Sequence, residues 1–321
     1  MPTLNEQAVQ TGNRCIRRIW LDEHDPKPRP SLWRIGRSLQ QSDLLSTYAD
    51  TQLVTHVVDR HQSWSDRLAA THRLLAEGVT DIISACFENN GVRATVDHIR
   101  WTESGWIISS VRGAANAKSA YTGALAQAMW VMRRCGQSVA EAHIVTINPN
   151  WTPGAEEDPF VTKSVTMSAE TRCTHLDELV PKLFAALTCD IPEPTTGSHC
   201  LKPTPCPHLD ECQPSQHRRG LGELYRVKAK VIRQLDAQGI AEIADIPEGT
   251  VLPPIAERQR QAHTSGKVAV SSKLEQALAK VTRPTVYIDF EAIQPALPPW
   301  PNARPFGVIP VQVSMHTLGV D

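Results

Sequence analysis

The spacing of hydrophobic and polar positions changes several times along the chain, and each change predicts an element. In WSDRLAATHRLLAEG (64–78), Leu68, His72 and Leu75 recur at helical spacing and Gly78 supplies a stop, which predicts a helix. DIISACFE (81–88) is a short apolar run that predicts a strand. In GVRATVDHIRW, Val92, Ala94 and Val96 alternate with Arg93, Thr95 and Asp97, predicting a second strand; ESG at 103–105 turns the chain into a third, WIISSVR. The Ala, Leu, Met and Gln content of SAYTGALAQAMWVMRRCG predicts a helix ending at Arg133, Arg134 and Gly136. AEAHIVTIN follows as another strand.

Helix, three strands, helix, strand implies an α/β fold: a mixed sheet flanked by helices. FVTKSVTMSA and HLDELVPKLFAALT, the latter interrupted by Pro181, extend this domain towards GSHCLKPTPCPHLDEC. Beyond it, HRRGLGELYRVKAKVIRQLDAQGIAEIADIP sets Arg218, Arg219, Arg226, Lys228, Lys230 and Arg233 against Glu223 before Leu235, predicting a basic helix that leads into a GI-x-x-I turn. Residues 247–283 read as a linker with one helix, SSKLEQALAKV, and TVYIDFE opens a final strand before a proline-rich stretch.

Composition narrows the classes of function. The 321 residues suffice for about two domains. With 33 Lys+Arg against 34 Asp+Glu and 41% hydrophobic residues, the chain is neither a polycation nor an acidic disordered tail, and any surface for a polyanion is local. There is no secretion signal and no run of about 18 apolar residues, so a cytoplasmic protein without a membrane contact is expected.

Reduced thiols then direct attention to metal ligation. Cys86, Cys135, Cys173 and Cys189 are scattered in apolar surroundings and read as small buried hydrophobes. Cys200, Cys206 and Cys212 fall at equal intervals in a segment rich in Pro and His. Three thiolates are one short of a tetrahedral or cubane set, and Cys15, in the polar and basic NRCIRRIWL, is the best fourth ligand. The five-residue gaps favour a [4Fe-4S] cluster over zinc, whose sites generally use closer pairs; zinc stays open, with His199 and His208 as further ligands.

CIRRIW, the VD of the second strand, W-x-x-x-S-V-R, a helix with Q-x-x-W and the three late cysteines, in that order, resemble the iron-sulfur branch of the RecB-like PD-(D/E)XK nucleases over about residues 13–215. GI-x-x-I-x-DIP, YIDFE and RPFGVIPVQVSMH resemble a group of uncharacterised bacterial proteins that fuse such a half to a DEDD-type exonuclease-like half. The resemblance implies four segments. A restriction-endonuclease-like domain spans 1–215, closed by the cysteine cluster, and a basic, helix-hairpin-like segment spans 216–250. A linker follows over 251–283, and 284–321 holds the first strand of an incomplete RNase H-like domain. It also implies a nucleic acid partner, DNA foremost, and a further chain that supplies the rest of the exonuclease-like half.

In that superfamily an Asp and an acidic residue on the next strand hold Mg²⁺ or Mn²⁺, and a Lys two positions on polarises the attacking water. Asp97 matches the first position, but the E-x-K positions carry Ser110 and Arg112. Serine brings no charge to an ion, and a guanidinium does not serve as a base. A degenerate site of Asp97, Ser110, Arg112 and Gln127 is therefore expected, in which Arg112 and Lys118 still bind phosphate, together with Arg218, Arg219, Arg226, Lys228 and Lys230. Gly123 falls where an Asp is common. An active nuclease would need a relocated carboxylate, with Glu88 and Glu103 as candidates; His56 is a weaker candidate for an upstream histidine. Asp289 and Glu291 match the first DEDD motif alone, a partial metal site.

Overall fold

The computed structural model describes residues 2–27, 31–195, 197–200, 205–212, 220–268 and 270–319. Contacts divide the chain into a first unit of residues 1–192 with 290–312 and a second of 193–289 with 313–321. Among the described residues, no helix is long and apolar enough to cross a membrane.

The first unit is an α/β layer structure. Three helices lead in, α1 (Glu6–Arg14), α2 (Ile16–His24) and α3 (Ser31–Thr51), followed by α4 (Trp64–Ala76). Strands β1 (Asp81–Asn89), β2 (Val92–Thr102) and β3 (Gly105–Val111) form an antiparallel meander. The β1–β2 turn is Asn90-Gly91 with both residues at positive φ, the hairpin geometry that this dipeptide favours. Helix α5 (Thr122–Arg134) is the crossover that makes β4 (Val139–Ile147) parallel to β3, and β5 (Phe160–Ser164) pairs antiparallel on the far edge. The result is a five-stranded mixed sheet in the order β1-β2-β3-β4-β5, with the strands and helices from Trp64 to Ile147 where the pattern places them.

Helix α6 (Thr166–Thr188) corrects the reading at Pro181: it runs through the proline without a break. The lost N–H is outweighed by a buried stripe of Ala169, Cys173, Leu176, Val180, Leu183 and Leu187 that closes the core against α5. Helix α1 lies so close to α6 that a Cβ on Gly12 would sit 2.5 Å from Leu183 Cδ2. The CIRRIW segment ties α2 to the end of α6: Arg17 donates to the Pro192 carbonyl and Trp20 Nε1 to that of Cys189, 2.9 Å away. Cys86 and Cys173 are buried as expected and Cys135 is partly so, but Cys189 is exposed, because it caps the open C-terminal end of α6.

The second unit has a small core of Leu221, Leu224, Leu235, Ile243, Ile246 and Ala256. It contains α7 (Leu209–Cys212), α8 (Ala229–Ala237), α9 (Pro254–Ser265) and α10 (Leu274–Leu278). Two expectations change here. The basic helix starts only at Ala229, because Arg226 adopts a left-handed φ of 54° and Lys228 is the extended residue ahead of the first turn. The expected linker carries α9 as a second helix, held by the buried Ala256 and by Gln259, whose side chain accepts from Tyr225 N and donates to the Glu223 carbonyl. One small apolar residue and an amide give no stripe to read in sequence. Strands β6 (Thr285–Ile293) and β7 (Ile309–Leu318) form a separate two-stranded sheet.

On the first unit's β2, buried His98 is bracketed by Tyr48 Oη, 3.1 Å from Nδ1, and Asp81 Oδ1, 3.0 Å from Nε2. Burial keeps the ring below its ordinary 6.5 despite Asp81, with Arg100 acting in the same direction, and pushes the Tyr48 hydroxyl up to about 12. An unfolded histidine takes up its proton at higher pH than this one, so its stabilising contribution is complete above about pH 6.5 and declines as pH falls. His98→Gln should cost about 1–3 kcal/mol at pH 7.5. The melting-temperature gap to wild type should narrow at pH 5.5, and a pH-independent gap would contradict the assignment.

Candidate functional site

The sheet is interrupted at one rung, and the candidate site occupies the interruption. The β1–β2 ladder pairs Ile83 with His98 and Ala85 with Val96 but omits Ser84 and Asp97; Ser84 has a left-handed φ of 62°. In the main core the contributors run Ile82, Ala85, Phe87 on β1 and Val92, Ala94, Val96, Ile99 on β2, so the inward alternation slips by one residue on both strands at this rung. The β2–β3 ladder also ends at His98–Ser109. Such irregularities re-aim side chains, and here they turn Asp97 into the gap.

Asp97 is buried, and both of its oxygens accept hydrogen bonds. Its Oδ2 accepts from Val111 N at 3.0 Å and Ser110 Oγ at 3.3 Å, and its Oδ1 from Arg60 Nη2 at 2.7 Å. Arg60 Nε donates to Ser84 Oγ at 3.0 Å, so one guanidinium joins both residues of the omitted rung. Arg60 is delivered by residues 56–58, which run alongside β1: Ile83 N donates to the His56 carbonyl and Val58 N to the Ile83 carbonyl.

Around Asp97 lies a cavity of about 100 Å³ whose lining includes Glu6, Arg60, Thr95, Ser110, Arg112 and, from α5, Ala128. Arg112 stands over the Tyr121 ring at 5.3 Å, and its buried Nε has no hydrogen-bond partner. Glu6 enters because Leu4 pairs with the start of β2, through Leu4 N to the Gly91 carbonyl and Arg93 N to the Leu4 carbonyl. Gln10 Nε2 holds Glu6 Oε1 at 2.9 Å. Burial raises the Glu6 carboxyl above its ordinary value; Arg112 opposes this and Asp97 adds to it.

Of the expected site, Asp97, Ser110 and Arg112 are brought together and Gln127 is not among them. Gln127 is buried and donates Nε2 to the Arg93 carbonyl at 2.9 Å. Lys118 is exposed on the loop before α5. Neither proposed relocated carboxylate reaches the cavity: Glu88 accepts from Trp64 Nε1 and Arg93 Nε, and Glu103 sits in the exposed β2–β3 turn. The His56 ring is exposed. A Cβ on Gly123 would lie 3.8 Å from Gln10 Nε2 and from Arg172 Nη1, and Gln10 in turn holds Glu6. Glu6 and Arg60 went unread in the sequence; Arg60 follows the short apolar pair Val57-Val58, and the N-cap Asn5 ahead of Glu6 marks a helix start.

Of the basic positions in the second unit, Arg226, Lys228 and Lys230 are exposed, Arg226 stands over Tyr225 at 5.1 Å, and Arg218 and Arg219 lie outside the described residues. Cys15 is the residue ahead of α2 in the first unit. In the second, Cys206 N donates to the Cys200 carbonyl at 2.6 Å, Cys200 Sγ lies 3.5 Å from His199 Nε2, and Cys212 ends α7. His208 Nδ1 is 3.4 Å from Glu211 Oε1. Asp289 and Glu291 are two apart on exposed β6.

The fold and site together define an α/β protein with a charged cavity at a split in its sheet. A family model described as a domain of unknown function, DUF2779, matches residues 286–320, which cover nearly all of β6 and β7. No curated protein matches the chain.

Arg60→Met leaves the buried Asp97 carboxylate without its cation and should cost on the order of 3 kcal/mol. Asp97→Asn in that background should restore part of the loss; a double-mutant cycle in urea that is strictly additive would refute the coupling.

Proposed function

We propose that this protein binds nucleic acid, DNA foremost, through a RecB-like nuclease-type domain whose metal site is degenerate and does not cut. The observation that carries the reading is the engagement of Asp97. Both of its oxygens are taken by Arg60, Ser110 and Val111 N, while Arg112 beside it has an unpartnered buried N–H. A hard divalent ion needs carboxylate oxygens free to enter its shell, and a guanidinium competes for the same atoms. An arginine fork instead grips two phosphate oxygens. The order α4-β1-β2-β3-α5-β4 supports the same superfamily.

In this reading Cys15, Cys200, Cys206 and Cys212 hold a structural [4Fe-4S] cluster, with zinc as the alternative. This ligand set rests on the number and spacing of the thiols in the sequence. Once bound, the group would hold chain segments together rather than perform a chemical step. The β6–β7 sheet supports the expected partner chain. Val286, Tyr287, Ile288 and Phe290 on β6 and Val311, Val313 and Met315 on β7 are exposed, and a two-stranded ribbon is marginal alone, so further strands completing an exonuclease-like half would cover them.

Two measurements test this. Fluorescence anisotropy with labelled single-stranded and duplex DNA should show binding that Arg112→Ala weakens by about tenfold, with no EDTA-sensitive cleavage; Mg²⁺-dependent cleavage lost in Asp97→Ala would overturn the degenerate reading. Anaerobically purified protein should carry about four irons and a broad visible band, both lost in Cys206→Ala. Zinc alone would favour the alternative, and absence of both would remove the metal from the account.

A further inference from the structure

The geometry points to a second phosphate-binding site beside the Asp97 cavity, built by Arg67 and Arg93 around Trp64 and suited to the backbone of the same nucleic acid strand. It rests on the nucleic-acid reading above and extends it from one cavity to a track.

Trp64 opens α4 behind its N-cap Ser63, and Arg67 follows one turn later on the same helix face. Arg93 faces Glu88 across the β1–β2 ladder. Both guanidinium groups stand over the indole, at 5.6 Å for Arg67 and 5.0 Å for Arg93. Glu88 Oε2 accepts from Trp64 Nε1 and from Arg93 Nε, the latter at 2.8 Å. The ring and one carboxylate thus fix two cations, and the group keeps a net positive charge.

Arg67 connects this group to the cavity. Its Nη2 donates to Thr95 Oγ1 at 3.3 Å, and Thr95 lines the Asp97 cavity. Its Nε is buried without a protein hydrogen-bond partner, as is that of Arg112, which lines the cavity. Phosphate oxygens are acceptors matched to the guanidinium fork of both arginines. Arg93, Thr95 and Asp97 alternate along β2, which puts Arg93 about 13 Å from Asp97 at ~3.3 Å per residue, far enough for a different phosphate of the same strand.

The Arg93 backbone is pinned on both sides, by its N–H to the Leu4 carbonyl and its carbonyl to Gln127 Nε2. Gln127 therefore acts as a positioning residue for this second site.

The test is the salt dependence of binding to a labelled single-stranded oligonucleotide, for wild type, Arg67→Gln, Arg93→Gln and, as an exposed control, Lys182→Gln. Each arginine variant should bind about five- to tenfold more weakly at 100 mM salt, and the slope of log K against log salt should fall by about one. The control should match wild type. A loss of fold would lower the active fraction without changing the slope, so the slope separates contact from scaffolding; Arg67→Lys should restore it. If Arg112→Ala weakens binding while the slopes of Arg67→Gln and Arg93→Gln match wild type, the second site is wrong and the first stands. If wild type binds no oligonucleotide, both fall.

Discussion

Burying the Asp97 carboxylate is the constraint around which the rest of the first unit is arranged. A buried charge without partners is prohibitively costly, and β2 resolves this by leaving its ladders at that residue. The side chain accepts the Val111 N–H where β2 and β3 have ceased to pair, so it replaces a strand contact with a side-chain contact. Arg60 supplies the opposite charge and reaches Ser84 with its other edge, which ties the left-handed kink in β1 to the same carboxylate. The cavity exists because the strands part here.

In the proposed reading, that arrangement favours phosphate binding over metal catalysis. The Asp97 oxygens already accept from Arg60, Ser110 and Val111 N, and Ser110 and Arg112 stand where the sequence resemblance calls for an acid and a lysine. Glu6 brings a second carboxylate to a lining that also holds Arg60 and Arg112, and its side chain accepts a hydrogen bond from Gln10 Nε2. What remains in surplus is the donor capacity of arginine. In the proposed reading, Arg112 in the cavity and Arg67, bonded to the lining residue Thr95, are the groups that meet phosphate.

Much of the fold was legible because its signals are local: the alternation in β2, the turn at 103–105, and the alanine-rich α5 between two apolar strands. Asp97, Ser110 and Arg112 were singled out by the family resemblance, and they lie on β2, on β3 and just past the end of β3. Arg60 and Glu6 were not, since each reaches the cavity through a backbone pairing far along the chain, at Ile83 and at Gly91 to Arg93. Glu88 looked like a spare carboxylate in sequence and is spent on Trp64 and Arg93. Helix α6 continued through Pro181 because its apolar stripe outweighs one missing hydrogen bond, and α9 was hidden because Ala256 and Gln259 make contacts without a hydrophobic pattern.

The central claim is that Asp97 is engaged by protein donors and does not hold a catalytic ion. Electron paramagnetic resonance of Mn²⁺ titrated into the full chain with a bound oligonucleotide tests it most directly. The account predicts that wild type and Asp97→Asn give the same free-Mn²⁺ signal at every concentration. One Mn²⁺ bound per wild-type chain, released in Asp97→Asn, would contradict it and make this an active metal-dependent site.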